Sequence, residues 1–242
     1  MTKAWTRIGV VAALTATTLV VVGPAAAVEP LPPVVVDDRV ALYPGQGSSV
    51  DVLANDSAPS GDDLQLCRFP DDPLPDAPRV LVLPGSLSGD DTRIDVVTNP
   101  RAHGTHVVDF FVCDKTHLAP AKLTITVLPV APVKVRKVPG KPGRLRVTNT
   151  NTKQIRFWYG HPQASRPDAK VVIRAGATRT VRVQRHRIYW VALIGGGSVE
   201  TFFDGPGVAD QGRVRNIAIR GPELPVPKEP GGESSAERAW RR

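Results

Sequence analysis

The sequence predicts an all-β protein built from two β-sandwich domains in tandem. The chain has 242 residues, of which 24 are proline and 21 are glycine, and these residues interrupt it every few positions. Between the interruptions lie short runs in which apolar residues recur at every second position, the period of a strand. No long segment shows the 3.6-residue period of an amphipathic helix. Short alternating runs between turn residues are typical of antiparallel sandwiches.

Residues 1–27 predict a signal peptide that directs the protein out of the cell. Lys3 and Arg7 supply the positive start, residues 8–22 carry no charge, and residues 25–27 are three alanines of the kind that signal peptidase accepts. The apolar run is short for a membrane span, which needs about 20 residues, and no second long apolar run follows. We therefore expect a secreted, extracellular or envelope-associated protein. The alternative is a retained N-terminal anchor.

Residues 28–130 predict the first sandwich, which is acidic. Seven alternating runs fall within it, and Gly, Pro, Asn or Asp separates each run from the next. The runs are residues 33–42, 48–55, 64–69, 79–85, 92–99, 106–114 and 122–129. Seven short strands in about 95 residues suit one β-sandwich.

Residues 131–220 predict a second sandwich of opposite charge. The boundary falls near residues 128–135, where two prolines flank a strand end. The first domain has 7 Lys and Arg against 15 Asp and Glu, a net charge of −8, whereas the second has 18 against 4, a net charge of +14. Eight strands are predicted here, at residues 133–138, 143–150, 154–160, 170–176, 178–184, 187–194, 199–205 and 214–221. The tail, residues 221–242, is rich in Pro, Gly and Glu and is predicted to be disordered.

The alternation in the second domain predicts a basic outer face on a packed sheet. Valine and leucine take one parity of each run and Lys and Arg the other, so the cations point away from the core. The residues that we expect to bind a polyanion are Lys134, Arg136, Arg144, Arg146, Arg182 and Arg185. Their partners would be anionic wall or membrane polymers, or another surface protein. Helix-in-groove and RNA-type sheet motifs are absent, so no specific nucleic acid is expected. The alternatives are a solvated surface and docking onto the protein's own acidic domain.

Cys67 and Cys113 predict one disulfide bond. They are the two cysteines of the chain, and an exported even pair is oxidised in the simplest case. Their spacing lacks the CxxC pattern of redox and zinc sites. The alternative is a pair of free thiols in a reducing host.

The stretch VDVLANDSAPSGDDLQL, residues 50–66, resembles bacterial immunoglobulin-like and cadherin-like repeat domains of surface proteins. Those repeats run from an apolar strand through LAND and an Asp/Gly-rich turn into an alternating strand. HGTHVVDFFVCDK, residues 103–115, and AKLTITVLP, residues 121–129, are similar to their closing elements. The resemblance covers residues 33–130 and implies an adhesive or structural immunoglobulin-like module; residues 131–220 look like another such sandwich. Because no Trp lies between the cysteines, we expect the disulfide to join the two sheets without the usual Trp packing.

Calcium is the one cofactor that the resemblance raises. Ca²⁺ takes roughly six to eight oxygen ligands, several of them carboxylates. The candidate ligands are Asp56, Asp62, Asp63 and Asp114. Ala58 and Ser60 stand where the family has acids. The alternative is therefore a plain connection, in which Asn55 and Asp56 form an Asx turn and residues 59–61 reverse the chain.

Trp158 is the candidate for a second kind of site, one that binds carbohydrate. Sugar-binding sandwiches use exposed aromatic rings as platforms, since sugar rings present apolar C–H faces. Alternation puts Phe157 and Tyr159 on one face of their strand and Trp158 on the other. The alternative is that these aromatic residues pack in the core. No GxSxG, HExxH, P-loop or GxGxxG motif occurs, so the sequence predicts a binding or structural protein and not an enzyme.

Overall fold

The described part of the chain is all-β, as predicted. A computed structural model describes residues 31–71, 73–74, 79–85, 91–164, 166–196 and 203–226. These residues contain fourteen strands and no helix, and so no helix that is long and apolar enough to cross a membrane. The predicted signal peptide, residues 1–27, lies outside the described residues, as do residues 227–242 of the predicted tail.

The first sandwich encloses one hydrophobic cluster between two sheets. Its strands are β1 (Asp38–Leu42), β2 (Gly47–Asp51), β3 (Gln65–Arg68), β4 (Val80–Pro84), β5 (Arg93–Thr98), β6 (Gly104–Cys113) and β7 (Leu118–Val127). One sheet has the order β1-β7-β6-β3 and the other β2-β5-β4. Strand β1 runs parallel to β7, and the other pairs are antiparallel. Each of the seven predicted runs contains a strand. Ile94, Phe110 and Leu123 illustrate how both sheets contribute buried side chains to the cluster.

The second sandwich is built in the same way around its own cluster. Its strands are β8 (Lys134–Lys137), β9 (Arg144–Thr148), β10 (Ile155–Gly160), β11 (Ala169–Ile173), β12 (Thr178–Arg182), β13 (Ile188–Ile194) and β14 (Gly207–Val214). The sheets have the orders β11-β10-β13-β14 and β12-β9-β8. Phe157 and Tyr159 are buried in the cluster, as alternation predicts, and the Phe157 ring also lies 5.4 Å from the ring of Trp190.

The last strand of the second sandwich differs from the prediction. Strand β14 lies between the two runs predicted at residues 199–205 and 214–221, and it pairs with β13 across a bulge. The first of these runs lies mostly outside the described residues. In the second, Asn216 has a φ of 52°, a left-handed value that interrupts an extended strand. The sequence of β14, GVADQGRV, hides a strand because Gly and Asp are depleted in strands.

The two sandwiches meet at the turn between β1 and β2. Tyr43 of this turn packs against the cluster of the second sandwich, and the Val208 amide donates to the Pro44 carbonyl at 2.6 Å. A Cβ atom on Gly207 would lie 2.3 Å from the Cβ of Tyr43, so this close approach requires glycine. The ion pairs between described residues lie within one sandwich or the other. The contact therefore does not neutralise the acidic half with the basic half.

The linker between the sandwiches is fixed by side chains of the second one. Asn151 accepts a hydrogen bond from the Ala131 amide at 2.7 Å and donates one to the Ala131 carbonyl at 2.9 Å. Asp210 accepts from the Val133 amide at 2.8 Å. Because both backbone groups of Ala131 are paired, the linker is held in one conformation instead of acting as a free tether.

A cationic sheet face as the candidate binding site

Three strands of the second sandwich present five cations on one face of a sheet. In the order β12-β9-β8, Arg136 stands directly opposite Arg146, and Arg144 stands opposite Arg182. Lys134 begins the next row of the same face, opposite Thr148. All five cations are exposed, whereas the alternate residues of β9 are fully buried. We call the surface formed by these five residues the cationic face: Lys134, Arg136, Arg144, Arg146 and Arg182.

The cationic face has a regular spacing that follows from strand geometry. Neighbouring strands lie about 4.8 Å apart, and successive residues on one face of a strand lie about 6.7 Å apart. The two arginine pairs therefore occupy adjacent rows, and the row of Lys134 adds a third. From the first row to the third the face extends about 13 Å along the strands. Its cations lie close enough together to contact one extended anionic chain.

The charges of the cationic face are not compensated by acidic neighbours. In the part of the chain that the structure describes, none of the five cations forms an ion pair. Like charges directly opposite each other on antiparallel strands are destabilising. The arrangement therefore lowers the stability of the sheet, and an anion bound across the pairs would recover that loss.

Arg185, the sixth residue predicted to bind a polyanion, lies elsewhere and is a correction to the prediction. It follows β12 with 1% of its surface exposed. Its guanidinium forms a two-pronged ion pair with Asp168, through Nε and through Nη2 at 2.7 Å. It also donates to the carbonyls of Leu224 and Pro225 at 2.9 and 3.4 Å. Arg185 is thus a structural residue, and it holds part of the segment that was predicted to be a disordered tail.

Cys67 and Cys113 form the predicted disulfide, but within one sheet. Cys67 lies in β3 and Cys113 in β6, which are neighbours in the same sheet, and the two Cα atoms are 5.8 Å apart. The expectation that the bond joins the two sheets is wrong. A register shift between Leu66 and Arg68 gives β3 an extra residue at this point, and Cys67 is that residue.

The four acids predicted to bind calcium do not converge on one centre. Asp62 pairs with Lys115, whose ammonium lies 2.5 Å away. The carboxylate of Asp114 accepts from the backbone amides of Thr116 and His117 at 2.7 and 2.6 Å, which stabilises the turn from β6 to β7 and lowers the pKa of Asp114. No three acidic, His or Cys side chains of the described residues are arranged to hold a metal ion. The contacts fit turns better than a calcium site.

Asp56, the remaining candidate with a defined environment, belongs to a different acidic group. One of its carboxylate oxygens accepts from the Val36 amide at 2.9 Å, and burial raises its pKa. Burial, and then the charge of Asp56, raise the pKa of Asp38 to about 6. The Oδ2 atoms of Asp38 and Asp56 are both buried without a hydrogen-bond partner. The sequence gave no sign of this pairing because Asp38 begins β1 and Asp56 follows β2.

Asp38→Asn is expected to stabilise the protein at neutral pH. The folded protein binds the Asp38 proton more tightly than the unfolded chain does, because the pKa rises from 3.8 to about 6. This carboxylate's contribution to stability therefore falls as pH rises from about 4 to about 6. Allowing for the partial exposure of Asp38, we expect a gain of about 1 kcal/mol, or a melting temperature about 2–4 °C higher, at pH 7.

Thermal unfolding at several pH values measures this effect. The gain should shrink towards pH 4, where the wild-type side chain is protonated in both states. Asp109→Asn, at an exposed acid of the same sandwich, is the matched control and should change little. An equal gain for Asp38→Asn at pH 4 and pH 7 would contradict this account.

Trp158 faces away from the core, as predicted, but its ring is covered. It packs with Val191 and Leu193 on the outer side of the β10–β13 pair. The ammonium of Lys170 lies over the ring, 4.2 Å from its centroid. A sugar ring would have to displace this cation–π contact, which is worth about 0.5–1 kcal/mol at exposed sites. The geometry thus favours the cationic face over Trp158 as the binding site.

Comparison with known proteins adds little to this description. No family model and no curated protein matches the chain. Similar solved structures are immunoglobulin-like and include domains of titin, at 11% identity over 77% of this chain and 67% of that one with a TM-score of 0.27. Domains 3 and 4 of rat CD4 match at 9% identity over 74% and 99% of the two chains, with a TM-score of 0.23. An endo-fucoidan hydrolase of glycoside hydrolase family 107 matches at 12% identity, over 78% of this chain and 29% of that chain, with a TM-score of 0.31. Scores this low carry no argument about function, and the resemblance to bacterial cadherin-like repeats stays a prediction.

Proposed function

We propose that this protein is an exported, non-enzymatic attachment module of a bacterial cell envelope, and that its cationic face binds an anionic envelope polymer. The observation that carries the proposal is the set of five exposed cations on β8, β9 and β12 that have no acidic partner among the described residues. Arginine suits this role because its planar guanidinium remains charged and donates two parallel hydrogen bonds to an oxyanion. The predicted signal peptide and the disulfide support export.

The first sandwich would act as a spacer that is itself repelled by the polymer. Its net charge of −8 disfavours contact with a polyanion, whereas the net charge of +14 on the second domain attracts one. The fixed linker and the packing of Tyr43 against the second cluster support a defined orientation of the first sandwich. The protein would then hold its acidic module away from the polymer, where it is accessible to other surface molecules.

Arg136→Gln/Arg146→Gln is expected to weaken polymer binding about tenfold or more while the protein stays folded. The double variant removes one cross-strand pair from the cationic face, and glutamine keeps most of the side-chain length. Each lost phosphate contact should also lower the salt dependence of binding by about one unit. Co-sedimentation with purified bacterial cell walls, at about 50 and 200 mM salt, measures both effects.

A double variant of equal charge provides the control. Lys141→Gln/Lys153→Gln removes two exposed cations from connections of the same sandwich, outside the cationic face. Wild type and this control should bind alike. Equal losses in the two double variants would reduce the site to overall charge and contradict the proposal. Turnover in a screen for esterase, protease and glycosidase activity would contradict the non-enzymatic role.

A further inference from the structure

We infer that the cationic face selects a linear phosphate polymer that has no rings to stack, such as a polyol phosphate or polyphosphate chain. This inference rests on the proposed function and narrows it to one chemical class. It follows from which side chains occupy the face, which are missing from it, and how the cations are paired.

The pairing of the arginines favours tetrahedral oxyanions over carboxylates. Arg136 and Arg146 face the same position from two adjacent strands about 4.8 Å apart, as do Arg144 and Arg182. A phosphate group has oxygens directed to more than one side, so it can accept from both guanidinium groups of a pair. A planar carboxylate has two oxygens in one plane, and one arginine fork satisfies both.

Threonine hydroxyls complete the rows of the cationic face. Thr180 stands opposite Arg146, and therefore extends the row that contains Arg136. Thr148 and Thr178 stand beside Lys134 in the next row, and their hydroxyls are 2.9 Å apart. These neutral donors could reach phosphate oxygens that the cations leave unpaired, and they add no charge of their own.

A membrane surface fits this face less well than a single polymer chain. The large apolar side chains that are exposed in the described residues lie on other elements, and none lies on β8, β9 or β12. Proteins that bind at the bilayer interface combine basic residues with Trp, Phe or Leu side chains that enter the acyl boundary. The cationic face offers charge alone, on three strands of a flat sheet.

Nucleic acids and polysaccharides lack a stacking platform on this face. The sequences of β8, β9 and β12 are KVRK, RLRVT and TRTVR, which contain no aromatic residue. Proteins that bind single-stranded nucleic acid combine a basic groove with aromatic rings on which the bases stack. Trp158, the exposed-side aromatic of this sandwich, lies in the other sheet beneath Lys170. A ligand without bases or sugar rings loses nothing by this absence.

The test compares polyanions at equal charge concentration against the full-length mature protein. The probes are inorganic polyphosphate, poly-glutamate, heparin, oligo-thymidylate and vesicles that contain phosphatidylglycerol. We expect polyphosphate to bind at least tenfold more tightly than the others. Its affinity should rise with chain length until one chain covers all three rows, about 13 Å. Wild-type binding should fall by up to about 100-fold between 50 and 200 mM salt if all five cations take part.

Thr180→Val tests the contacts of the row directly. Valine keeps the branched shape that suits a strand but removes the hydroxyl. We expect polyphosphate affinity to fall several-fold and poly-glutamate affinity to stay the same, with an unchanged melting temperature. An equal loss for both probes would overturn the assignment of Thr180 to phosphate.

The outcomes separate this inference from the proposed function. Equal or tighter binding of poly-glutamate or heparin would overturn the phosphate inference and leave a general polyanion site in place. Preference for vesicles or oligo-thymidylate would overturn it in favour of a membrane or a nucleic acid. If no probe binds at low salt, both the inference and the proposed function fail.

Discussion

Arg185→Ala is expected to lower the free energy of unfolding by about 3–5 kcal/mol, the loss that follows when one partner of a buried ion pair is removed. Arg185 is 1% exposed and the side chain of Asp168 is 13% exposed, so the carboxylate that remains would be poorly solvated. The variant also loses the hydrogen bonds to the carbonyls of Leu224 and Pro225. Urea unfolding monitored by tryptophan fluorescence measures the change, since Trp190 lies in the same hydrophobic cluster.

The companion variants separate the ion pair from the packing of a long side chain. In Arg185→Ala/Asp168→Asn no unpaired charge remains, so the double variant should be more stable than Arg185→Ala alone. Arg185→Lys should recover only part of the loss, because a lysine cannot make the two-pronged contact. A loss below about 1 kcal/mol for Arg185→Ala would show a solvent-exposed ion pair instead. Variants that remain folded should bind polymer as wild type does, which distinguishes Arg185 from the cationic face.

The position of Arg185 shows both the strength of the alternation rule and its limit. Period-two spacing correctly buried Leu145 and Val147 and exposed the arginines between them. Applied beyond β12, the same rule gives Arg185 the parity of Val181 and Val183 and so turns it inward. Grouping Arg185 with the exposed cations set this parity aside. Its partner, Asp168, lies 17 residues earlier in the chain, and the local pattern gives no sign of that contact.

Strand order, unlike strand position, was not predictable from the local pattern. The runs that contain β3 and β6 were identified, but nothing in them shows that the two strands are neighbours in one sheet. The disulfide was therefore predicted correctly as a pair and wrongly as a link between sheets. For the same reason Asp56 was grouped with Asp62 and Asp114, acids near it in the family motif, when its electrostatic neighbour is Asp38. Contacts between distant segments decide these features, and they depend on the complete topology.

Asn149→Ala is expected to lower the free energy of unfolding by about 2–4 kcal/mol, because it leaves several buried polar groups unpaired. Asn149 has no exposed surface, and its amide nitrogen donates to the carbonyls of Lys153, Ile173 and Arg174 at 2.8, 3.2 and 3.0 Å. Its oxygen accepts from the backbone and side-chain amides of Asn151 at 3.0 and 3.1 Å. The exposed Thr152→Ala is the control in the same connection and should change stability by less than about 0.5 kcal/mol.

The Asn149 network also links the stability of the second sandwich to the linker. Asn151 receives its orientation from Asn149 and pairs both backbone groups of Ala131. Asn151→Ala should therefore speed amide hydrogen exchange at Ala131, and its effect on unfolding should not add to that of Asn149→Ala. Additive losses, with unchanged exchange at Ala131, would show that the two asparagines act independently.

Asn149→Asp distinguishes lost hydrogen bonds from lost volume. The aspartate has nearly the shape of asparagine, but as a carboxylate it would place a negative charge against the three carbonyl oxygens that the wild-type amide serves. Burial and these oxygens would raise its pKa in the folded state above the unfolded value, so the stability of the variant should rise as pH falls. At pH 7 it should be less stable than Asn149→Ala, and at acidic pH the difference should narrow, because a protonated carboxyl can donate one hydrogen bond. If the variant matched wild type at pH 7, the three carbonyls would not depend on the Asn149 amide.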